Sequence, residues 1–159
     1  MNQVPAVKPR RRRLATLWTA SLLASFFVGI GAQAASAGVE SSNWGYFTVA
    51  GNAYRNYAVI ITSPGNARAS TNTGPQSGYT VPGGYVGSRG RLMIDGGTTL
   101  SCEGSNTYNS GSISYATMLT GVSCTRYTSG AWYSWGVSLG WNGSGYNSVY
   151  TYQTVSQNS

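Results

Sequence analysis

The chain contains no histidine, which removes the commonest general base and the commonest metal ligand found in proteins. Nucleophilic sites of the Ser-His-Asp and Cys-His types are therefore excluded. Acidic residues are also scarce, since Glu40, Asp95 and Glu103 are the only three. A pair of carboxyl groups facing each other can hydrolyse a glycoside, so such a pair is the one enzymatic alternative. We nevertheless predict that the protein is not an enzyme and uses no cofactor, because the Asp in Asp95-Gly96-Gly97 is explained by its turn.

Clustered basic residues are confined to the start of the chain, where Lys8 and Arg10–Arg13 precede an apolar segment over residues 14–31. Ala35-Ser36-Ala37 then provides the small-x-small pattern that signal peptidase accepts, and a similar triplet occurs three residues earlier. This order predicts a secretory signal peptide over residues 1–37. A retained membrane anchor and export by the twin-arginine route are the alternatives for the same segment.

Removal of that peptide changes the charge of the protein. Five of the ten basic residues lie within it and all three acids lie outside it, so the net charge becomes 5 − 3 = +2 instead of +7. No lysine and no basic cluster larger than Arg89 with Arg91 remains. We therefore predict a secreted, extracellular domain over residues 38–159 that neither binds nucleic acid nor keeps a stable membrane span.

Only two cysteines are present, Cys102 and Cys124, and both belong to the exported part. A single pair in an oxidising compartment usually forms a disulfide. A redox-active pair would need a short spacing such as Cys-x-x-Cys and an activating partner, and the sequence provides neither. We predict a structural disulfide and no metal site, because the bond uses both sulfurs and the three carboxylates are scattered.

Strong helix formers are almost absent after residue 37, and short apolar runs alternate with Gly, Pro and Asn turns. This pattern predicts an all-β fold, a single antiparallel β-sandwich or closed barrel of about 8–9 strands with one disulfide. The predicted strands are Trp44–Ala50, Tyr54–Thr62, Ala67–Asn72, Tyr85–Ile94, Thr98–Glu103, Ser112–Leu119, Val122–Tyr127, Ala131–Trp141 and Ser144–Val155.

The clearest element is a hairpin over residues 131–155. Its first strand alternates apolar residues at odd positions with small or polar residues at even positions, which is typical of a half-buried strand. Asn142-Gly143 favours a two-residue turn that sets Leu139 opposite Tyr146, and a four-residue loop ending at Gly145 is the alternative. We expect the odd row, including Tyr133, Trp135 and the facing Tyr150, to lie in the core.

Arg89 and Arg91 occupy one face of a predicted strand, opposite Val86, Leu92 and Ile94. Because charged side chains rarely lie in a core, this face is expected to be a solvated outer one. An anion-contact patch is the alternative function for the two arginines.

Exposed aromatic residues are the remaining candidates for ligand binding, since Tyr and Trp combine an apolar ring with a polar tip. Trp132 is out of phase with the odd row, so we expect it to point outward and to contact a ligand, with Gln153 beside it. Tyr54 and Tyr57 flank Arg55 and Asn56, and at least one of these two tyrosines is expected to be exposed. Trp132, Tyr54, Tyr57 and Gln153 are therefore the predicted ligand-binding residues.

Three segments resemble the lactococcin 972-type bacteriocins within the small exported β-sheet proteins of Gram-positive bacteria. They are Trp44-Gly45-Tyr46, Tyr54-Arg55-Asn56-Tyr57 and Val81-Pro82-Gly83-Gly84-Tyr85, and they cover under half of residues 38–159. The resemblance implies a signal peptide, a compact β-sandwich without catalytic residues, and antagonism of related cells. The absence of histidine departs from the pattern of that family.

The composition favours a secreted, non-enzymatic binding domain, with cell-wall or extracellular polysaccharide as its partner. The resemblance supports the alternative, a bacteriocin-like antagonist that acts at the envelope of related cells. A third hypothesis is an extracellular structural component that assembles with itself. The sequence predicts no oligomeric state.

Overall fold

The computed structural model describes residues 37–159 of the chain. These residues form sixteen β-strands and no helix. The predicted signal peptide lies outside the described residues except for Ala37, and no described residue belongs to a helix able to cross a membrane. The strands are β1 (Gly38–Ser41), β2 (Gly45–Val49), β3 (Asn52–Ser63), β4 (Asn66–Pro75), β5 (Thr80–Val81), β6 (Val86–Arg89), β7 (Arg91–Ile94), β8 (Leu100–Glu103), β9 (Thr107–Tyr108), β10 (Ile113–Ser114), β11 (Leu119–Thr120), β12 (Cys124–Arg126), β13 (Ala131–Ser134), β14 (Val137–Trp141), β15 (Tyr146–Tyr150) and β16 (Gln157–Asn158).

The prediction of an all-β, antiparallel fold with one disulfide is confirmed. The predicted strand number is too low for two reasons. Several strands have only two residues, which is too short for an alternating pattern to be visible. In addition, three predicted strands each divide into two: Tyr85–Ile94 into β6 and β7, Ser112–Leu119 into β10 and the start of β11, and Ala131–Trp141 into β13 and β14. A closed barrel is wrong, because no sheet of the described residues closes on itself.

The longest strands, β3 and β4, form the centre of a six-stranded sheet. They pair from Tyr54↔Pro75 to Ser63↔Asn66, so a two-residue turn at Pro64-Gly65 joins them, and Gly65 takes the positive φ of 72° that this turn needs. Strands β1 and β2 pair with β3, whereas β11 and β12 pair with β4. Ala58, Ile60 and Ala69 alternate with outward residues and place an apolar inner face on the pair.

Two four-stranded sheets, in the orders β16-β13-β7-β8 and β15-β14-β6-β9, pack against the inner face of that sheet. They are nearly continuous, because β6 leads into β7 through Gly90 and β13 leads into β14 through Trp135-Gly136. At both breaks β4 approaches closely. A Cβ on Gly90 would overlap the carbonyl of Ala69, and a Cβ on Gly136 would overlap the hydroxyl of Thr71. The second layer therefore divides where only glycine leaves room for the first.

The interior consists of two apolar clusters separated by polar side chains. Ile60, Leu92 and Trp132 belong to one cluster, and Tyr54 and Val86 belong to the other. The polar band between them is fully or almost fully buried and is formed by Asn56, Thr71, Thr73, Ser88 and Ser138. Within it Asn56 Nδ2 donates to Ser138 Oγ at 2.9 Å, and the hydroxyls of Thr73 and Ser138 lie 2.6 Å apart. These bonds offset much of the cost of burying polar groups.

The hairpin β14–β15 contains a four-residue loop, because Trp141 pairs with Tyr146. Asn142 organises this loop, since its Oδ1 accepts the backbone N–H groups of Ser144 and Gly145. Gly143 has a φ of 103°, a value that favours glycine. The predicted two-residue turn is therefore wrong, and the alternative four-residue loop is confirmed.

The expected orientation of β13 and β14 is wrong in part, because both rows of these strands contain buried residues. Their small even-numbered residues face the six-stranded sheet, and Ser134 and Ser138 are fully buried there. A Cβ on Gly140 would lie 2.8 Å from Val49 Cγ2, so the small side chains allow the two layers to approach each other. Bulky Tyr54 and Ile60 of the facing sheet occupy the space that the small residues leave.

The odd row faces away from the six-stranded sheet, but Tyr133, Val137 and Leu139 of this row are buried, so the expectation that Tyr133 is a core residue is confirmed. Trp135 is half-buried and Tyr150 is 52% exposed, so for these two residues the expectation is wrong.

The predicted disulfide is confirmed. Cys102 of β8 is bonded to Cys124 of β12, with their Cα atoms 5.9 Å apart, a common separation for a disulfide. Because β8 and β12 belong to different sheets, the bond ties the two layers together at one side.

Candidate functional site

Trp132 is a core residue, and the prediction that it points outward is wrong. It is only 7% exposed and packs in the apolar cluster that contains Ile60 and Leu92. Its indole Nε1 donates to Ser159 Oγ at 3.0 Å, so Ser159 covers the polar tip of the ring. Trp132 is out of phase with the odd row because it belongs to the inner face, and it is therefore not available as a ligand contact.

The other three predicted ligand-binding residues do not come together. Tyr54 and Tyr57 project from opposite faces of β3, where Tyr54 is fully buried and Tyr57 is half-buried against the edge of Trp44, with ring centroids 4.6 Å apart. Gln153 is exposed in the segment after β15, beside Thr98 and Asp95 of another loop. The expectation that at least one of Tyr54 and Tyr57 is exposed is wrong, because Tyr54 is fully buried and Tyr57 is half-buried.

A group of aromatic side chains missed by the sequence analysis lies on the outer face of the second layer. We call it the aromatic face. It consists of Tyr108, Trp135, Trp141, Tyr146 and Tyr150. The strand pairing brings them together. Trp141 of β14 pairs with Tyr146 of β15, and Val137 of β14 pairs with Tyr150. Tyr108 of β9 pairs with Gly87 of β6, which in turn pairs with Leu139 of β14. All five are exposed or half-buried.

One part of the aromatic face is a pair of rings with a cation above them. The rings of Trp135 and Tyr150 lie 4.8 Å apart and are inclined by 33°. The guanidinium carbon of Arg91 lies 5.8 Å from the centre of the Trp135 ring and 5.3 Å from that of Tyr150. Trp135 Nε1 donates to the carbonyl of Thr151 at 3.1 Å. This bond and the cation–π contacts hold the pair in one geometry.

The other part contains Tyr108, Tyr146 and Trp141. The Tyr146 ring lies 4.7 Å from that of Tyr108 and 5.1 Å from that of Trp141. Its hydroxyl donates to the carbonyl of Gly84 at 2.6 Å, which ties the ring to the turn before β6. Partial burial, and then the neighbouring Tyr108, raise the pKa of Tyr146, so its hydroxyl stays protonated as a donor.

The charges at the border of this face are only partly balanced. Arg89 and Arg91 lie opposite buried Val86 and Leu92, as predicted, and their Nε atoms are each 3.5 Å from the same carboxylate oxygen of Glu103. Two guanidinium groups therefore share one carboxylate and leave a net positive charge beside the rings. The arginine side chains are less exposed than expected, at 30% and 13%, because they pack along the sheet.

The carboxylates do not converge on one element. Glu40 lies on β1, Asp95 in the turn after β7, and Glu103 at the end of β8 with its two arginines. The prediction that the protein is not an enzyme stays a prediction.

A second aromatic group surrounds Arg55 on the outer face of the six-stranded sheet. The guanidinium carbon lies 4.6 Å from the ring centre of Trp44 and 3.7 Å from that of Tyr115. Arg55 Nη2 donates to the Tyr115 carbonyl at 2.7 Å. Tyr46 pairs with Arg55 across the strands and is 66% exposed. The Arg55 guanidinium therefore contacts the rings of both Trp44 and Tyr115.

The aromatic face could have been found from the sequence if the even row of β13–β14 had been assigned to the interface between sheets. Ser134, Gly136, Ser138 and Gly140 are all small, as close sheet packing requires. The odd-numbered residues then face away from the six-stranded sheet. The alternation itself gives no reason to choose this orientation.

Comparisons with protein families, with curated proteins and with solved structures return no match for this chain. The resemblance to the lactococcin 972-type bacteriocins therefore stays a prediction.

Proposed function

We propose that the protein is a secreted, non-enzymatic module that binds cell-wall or extracellular glycans through the aromatic face. The observation that carries the proposal is the cluster of five rings on one outer side of the second layer. Aromatic rings offer flat apolar surfaces that complement the C–H faces of sugar rings, and their polar tips complement hydroxyls. Trp132 has no part in this proposal.

The rings are already held in place before a ligand arrives. Hydrogen bonds from Trp135 to the Thr151 carbonyl and from Tyr146 to the Gly84 carbonyl restrict two of the side chains. A ligand therefore loses little affinity to the ordering of side chains. This matters for sugars, whose individual contacts are weak and whose hydroxyls must be taken from water.

Polar groups at the border can supply hydrogen bonds to a bound glycan. Glu103 is 38% exposed and offers a carboxylate, while the guanidinium groups of Arg89 and Arg91 offer donors. The surplus positive charge favours neutral or acidic glycans over basic ones.

Retention of residues 38–159 on insoluble cell-wall and extracellular glycans tests the proposal. We expect the wild-type protein to be retained, and we expect Tyr150→Ala and Tyr146→Ala each to weaken binding about tenfold, which corresponds to about 1.4 kcal/mol. Thermal melting of each variant verifies that the fold is intact.

The matched control is Tyr127→Ala, because Tyr127 is 84% exposed and follows β12, away from the aromatic face. The control should bind like the wild type. Absence of retention on every glycan, or an equal loss for Tyr127→Ala, would contradict the proposal.

A plate inhibition assay distinguishes the glycan-binding module from the alternative function, an antagonist acting at the envelope of related cells. A module that only binds glycans should leave no clearing zone around the purified protein. A clearing zone that persists in Tyr150→Ala would favour the antagonist over the glycan-binding module.

A further inference from the structure

Arg89 and Arg91 at the border of the aromatic face carry charge whose role the proposed function leaves open. Arg89 of β6 pairs with Val137 of β14, which in turn pairs with Tyr150 of β15. Residues that pair directly across strands place their side chains on the same face of a sheet, so Arg89 and Tyr150 share one face. Arg91 is nearer, with its guanidinium carbon 5.3 Å from the centre of the Tyr150 ring. Both cations therefore border a ring that a bound sugar would contact.

The terminal nitrogens of the two guanidinium groups are able to donate hydrogen bonds to a ligand. A guanidinium has five N–H donors, and each ion pair with Glu103 is formed through the Nε atom of the arginine, at 3.5 Å. The Nε atoms are the buried, unbonded nitrogens of these two side chains. The Nη atoms have no hydrogen-bond partner among the described residues either, but they are not buried, so they remain accessible from outside.

The charges around these nitrogens do not balance. Arg89 and Arg91 share the carboxylate of Glu103, which leaves a charge of 2 − 1 = +1. The other two acids lie elsewhere, because Glu40 is on β1 of the six-stranded sheet and Asp95 follows the end of β7. The two arginine side chains are packed along the sheet, so their charge is screened less than that of fully exposed side chains. The border of the aromatic face therefore attracts anions.

The geometry suits an anionic group that is attached to a sugar ring. Tyr150 is 52% exposed, so the Arg91 guanidinium leaves much of its ring uncovered. A sugar in van der Waals contact with that ring lies about 3.5–4.0 Å above it, and a substituent at the edge of the sugar can then reach the Nη atoms. Arginine binds carboxylates and phosphates through paired, charge-assisted hydrogen bonds that are about twice as strong as neutral ones. A neutral hydroxyl forms only single hydrogen bonds with the same nitrogens.

We propose that the aromatic face selects anionic glycans, in which a carboxylate or phosphate group binds to Arg89 and Arg91 while its sugar ring lies on Tyr150. The inference rests on the proposed glycan binding and adds to it the class of glycan. Glu103 limits the strength of this binding, because its carboxylate neutralises part of the positive charge and repels the anion of the ligand. Removal of an arginine and removal of Glu103 should therefore have opposite effects.

Calorimetric titration with three soluble hexamers that share one backbone linkage tests the proposal. The probes are β-1,4-linked glucose, β-1,4-linked glucuronic acid, and β-1,4-linked glucose phosphorylated on its primary hydroxyls. Wild-type protein should bind at least one acidic hexamer about fivefold more tightly than the neutral hexamer, which is the contribution of one favourable exposed ion pair. Tighter binding of the glucuronic acid hexamer identifies a carboxylate as the recognised group, and tighter binding of the phosphorylated hexamer identifies a phosphate.

Arg89→Gln tests the contribution of the cations. Arg91 is the arginine that contacts the rings, so this substitution removes a charge and leaves those contacts in place. The ratio of the Kd for the neutral hexamer to the Kd for the acidic one should fall about two- to fivefold. Arg68→Gln is the matched control, because Arg68 is exposed on β4 of the other layer and its loss changes the net charge equally. The ratio for this control should equal that of the wild type.

Glu103→Gln tests the competing carboxylate. The substitution keeps the size of the side chain and removes its charge, so the same ratio of Kd values should rise about two- to fivefold. Glu40→Gln is the matched control, because Glu40 is exposed on β1 of the other layer, and it should leave the ratio unchanged. Thermal melting verifies that each variant is folded. Weaker binding of the acidic hexamer to folded Glu103→Gln would show that this carboxylate only positions the arginines, and would contradict the proposal.

The outcomes separate this inference from the proposed function. The anionic preference alone is overturned if the neutral hexamer binds as tightly as the acidic ones, or if Arg89→Gln and Arg68→Gln change the ratio equally. Retention on insoluble glycans without binding to any hexamer overturns it as well. Failure of wild-type protein to bind any soluble or insoluble glycan overturns both proposals.

Discussion

Two buried tyrosines differ in what their hydroxyl groups meet. Tyr54 is fully buried, is stacked on Phe47 with centroids 5.1 Å apart, and its Oη has no hydrogen-bond partner among the described residues. Tyr133 is almost as buried, but its Oη donates to the Gly97 carbonyl at 2.6 Å. The same chemical group therefore costs stability at one position and contributes to it at the other.

Tyr54→Phe is expected to raise the free energy of unfolding by about 1 kcal/mol, because it removes an unpaired buried hydroxyl without leaving a cavity. Tyr133→Phe, the matched control, should lower it by about 1 kcal/mol through loss of a hydrogen bond. Urea unfolding at neutral pH measures both. A loss of stability in Tyr54→Phe as large as that in Tyr133→Phe would contradict the prediction.

The two variants should also differ at alkaline pH. Burial, and then the neighbouring Tyr85, raise the pKa of Tyr54 above its ordinary value. The folded protein therefore holds this proton more tightly than the unfolded chain, so stability is present below the unfolded pKa of about 10 and is lost as the pH rises from there through the folded pKa. Tyr54→Phe should lose less stability over this range than the wild type.

At the scale of strands, the close contact between β4 and the β13–β14 junction determines how near the two layers lie. Gly136 is buried at this junction with Thr71 directly above it. The neighbouring Ser134 and Ser138 are also fully buried, so a row of small residues forms one side of the interface. Asn56 and Thr73 of the facing sheet can bond to the Ser138 hydroxyl only while the layers stay close.

Gly136→Ala is expected to destabilise the protein by about 1–3 kcal/mol, the usual cost of overpacking a filled interior. The reason is steric, because the added methyl group would overlap the Thr71 hydroxyl. Thermal or urea unfolding measures the loss, and Gly97→Ala, which meets no neighbour, should be close to wild type. Equal stability of the two variants would show that the layers do not approach as described.

For the whole molecule, the disulfide is the covalent cross-link that joins a strand of one layer to a strand of the other. Cys102 and Cys124 are separated by 22 positions, and Cys124 packs in the apolar cluster beneath the bond. The bond therefore restricts the unfolded chain and also joins two sheets in the folded protein.

Replacement of both cysteines by alanine is expected to lower the free energy of unfolding by about 3 kcal/mol, as the chain-entropy model gives for a loop of this length. The wild-type protein with its disulfide reduced is the control and should show a similar loss in urea unfolding. Unchanged stability in both would contradict a structural role for the bond.

Much of the fold was predictable from local features of the chain. Turn residues separate short apolar runs, two cysteines leave one pairing, and Val86 and Leu92 lie opposite Arg89 and Arg91. Each of these depends on neighbouring residues or on composition. The candidate site was not predictable in the same way, because only Tyr57 and Gln153 of the predicted ligand-binding set retain exposed surface.

The sequence by itself determined that the strand residues around Trp132 fall into two alternating rows. Only the tertiary structure decided which row faces the other sheet. The physical reason is that alternation divides a strand into two faces, whereas burial depends on the sheet that packs against it. Here β3 and β4 bring Ile60, Asn56 and Thr71 to the interface, so the small row of β13–β14 faces them. Trp132 is therefore buried, and Tyr150 lies outside.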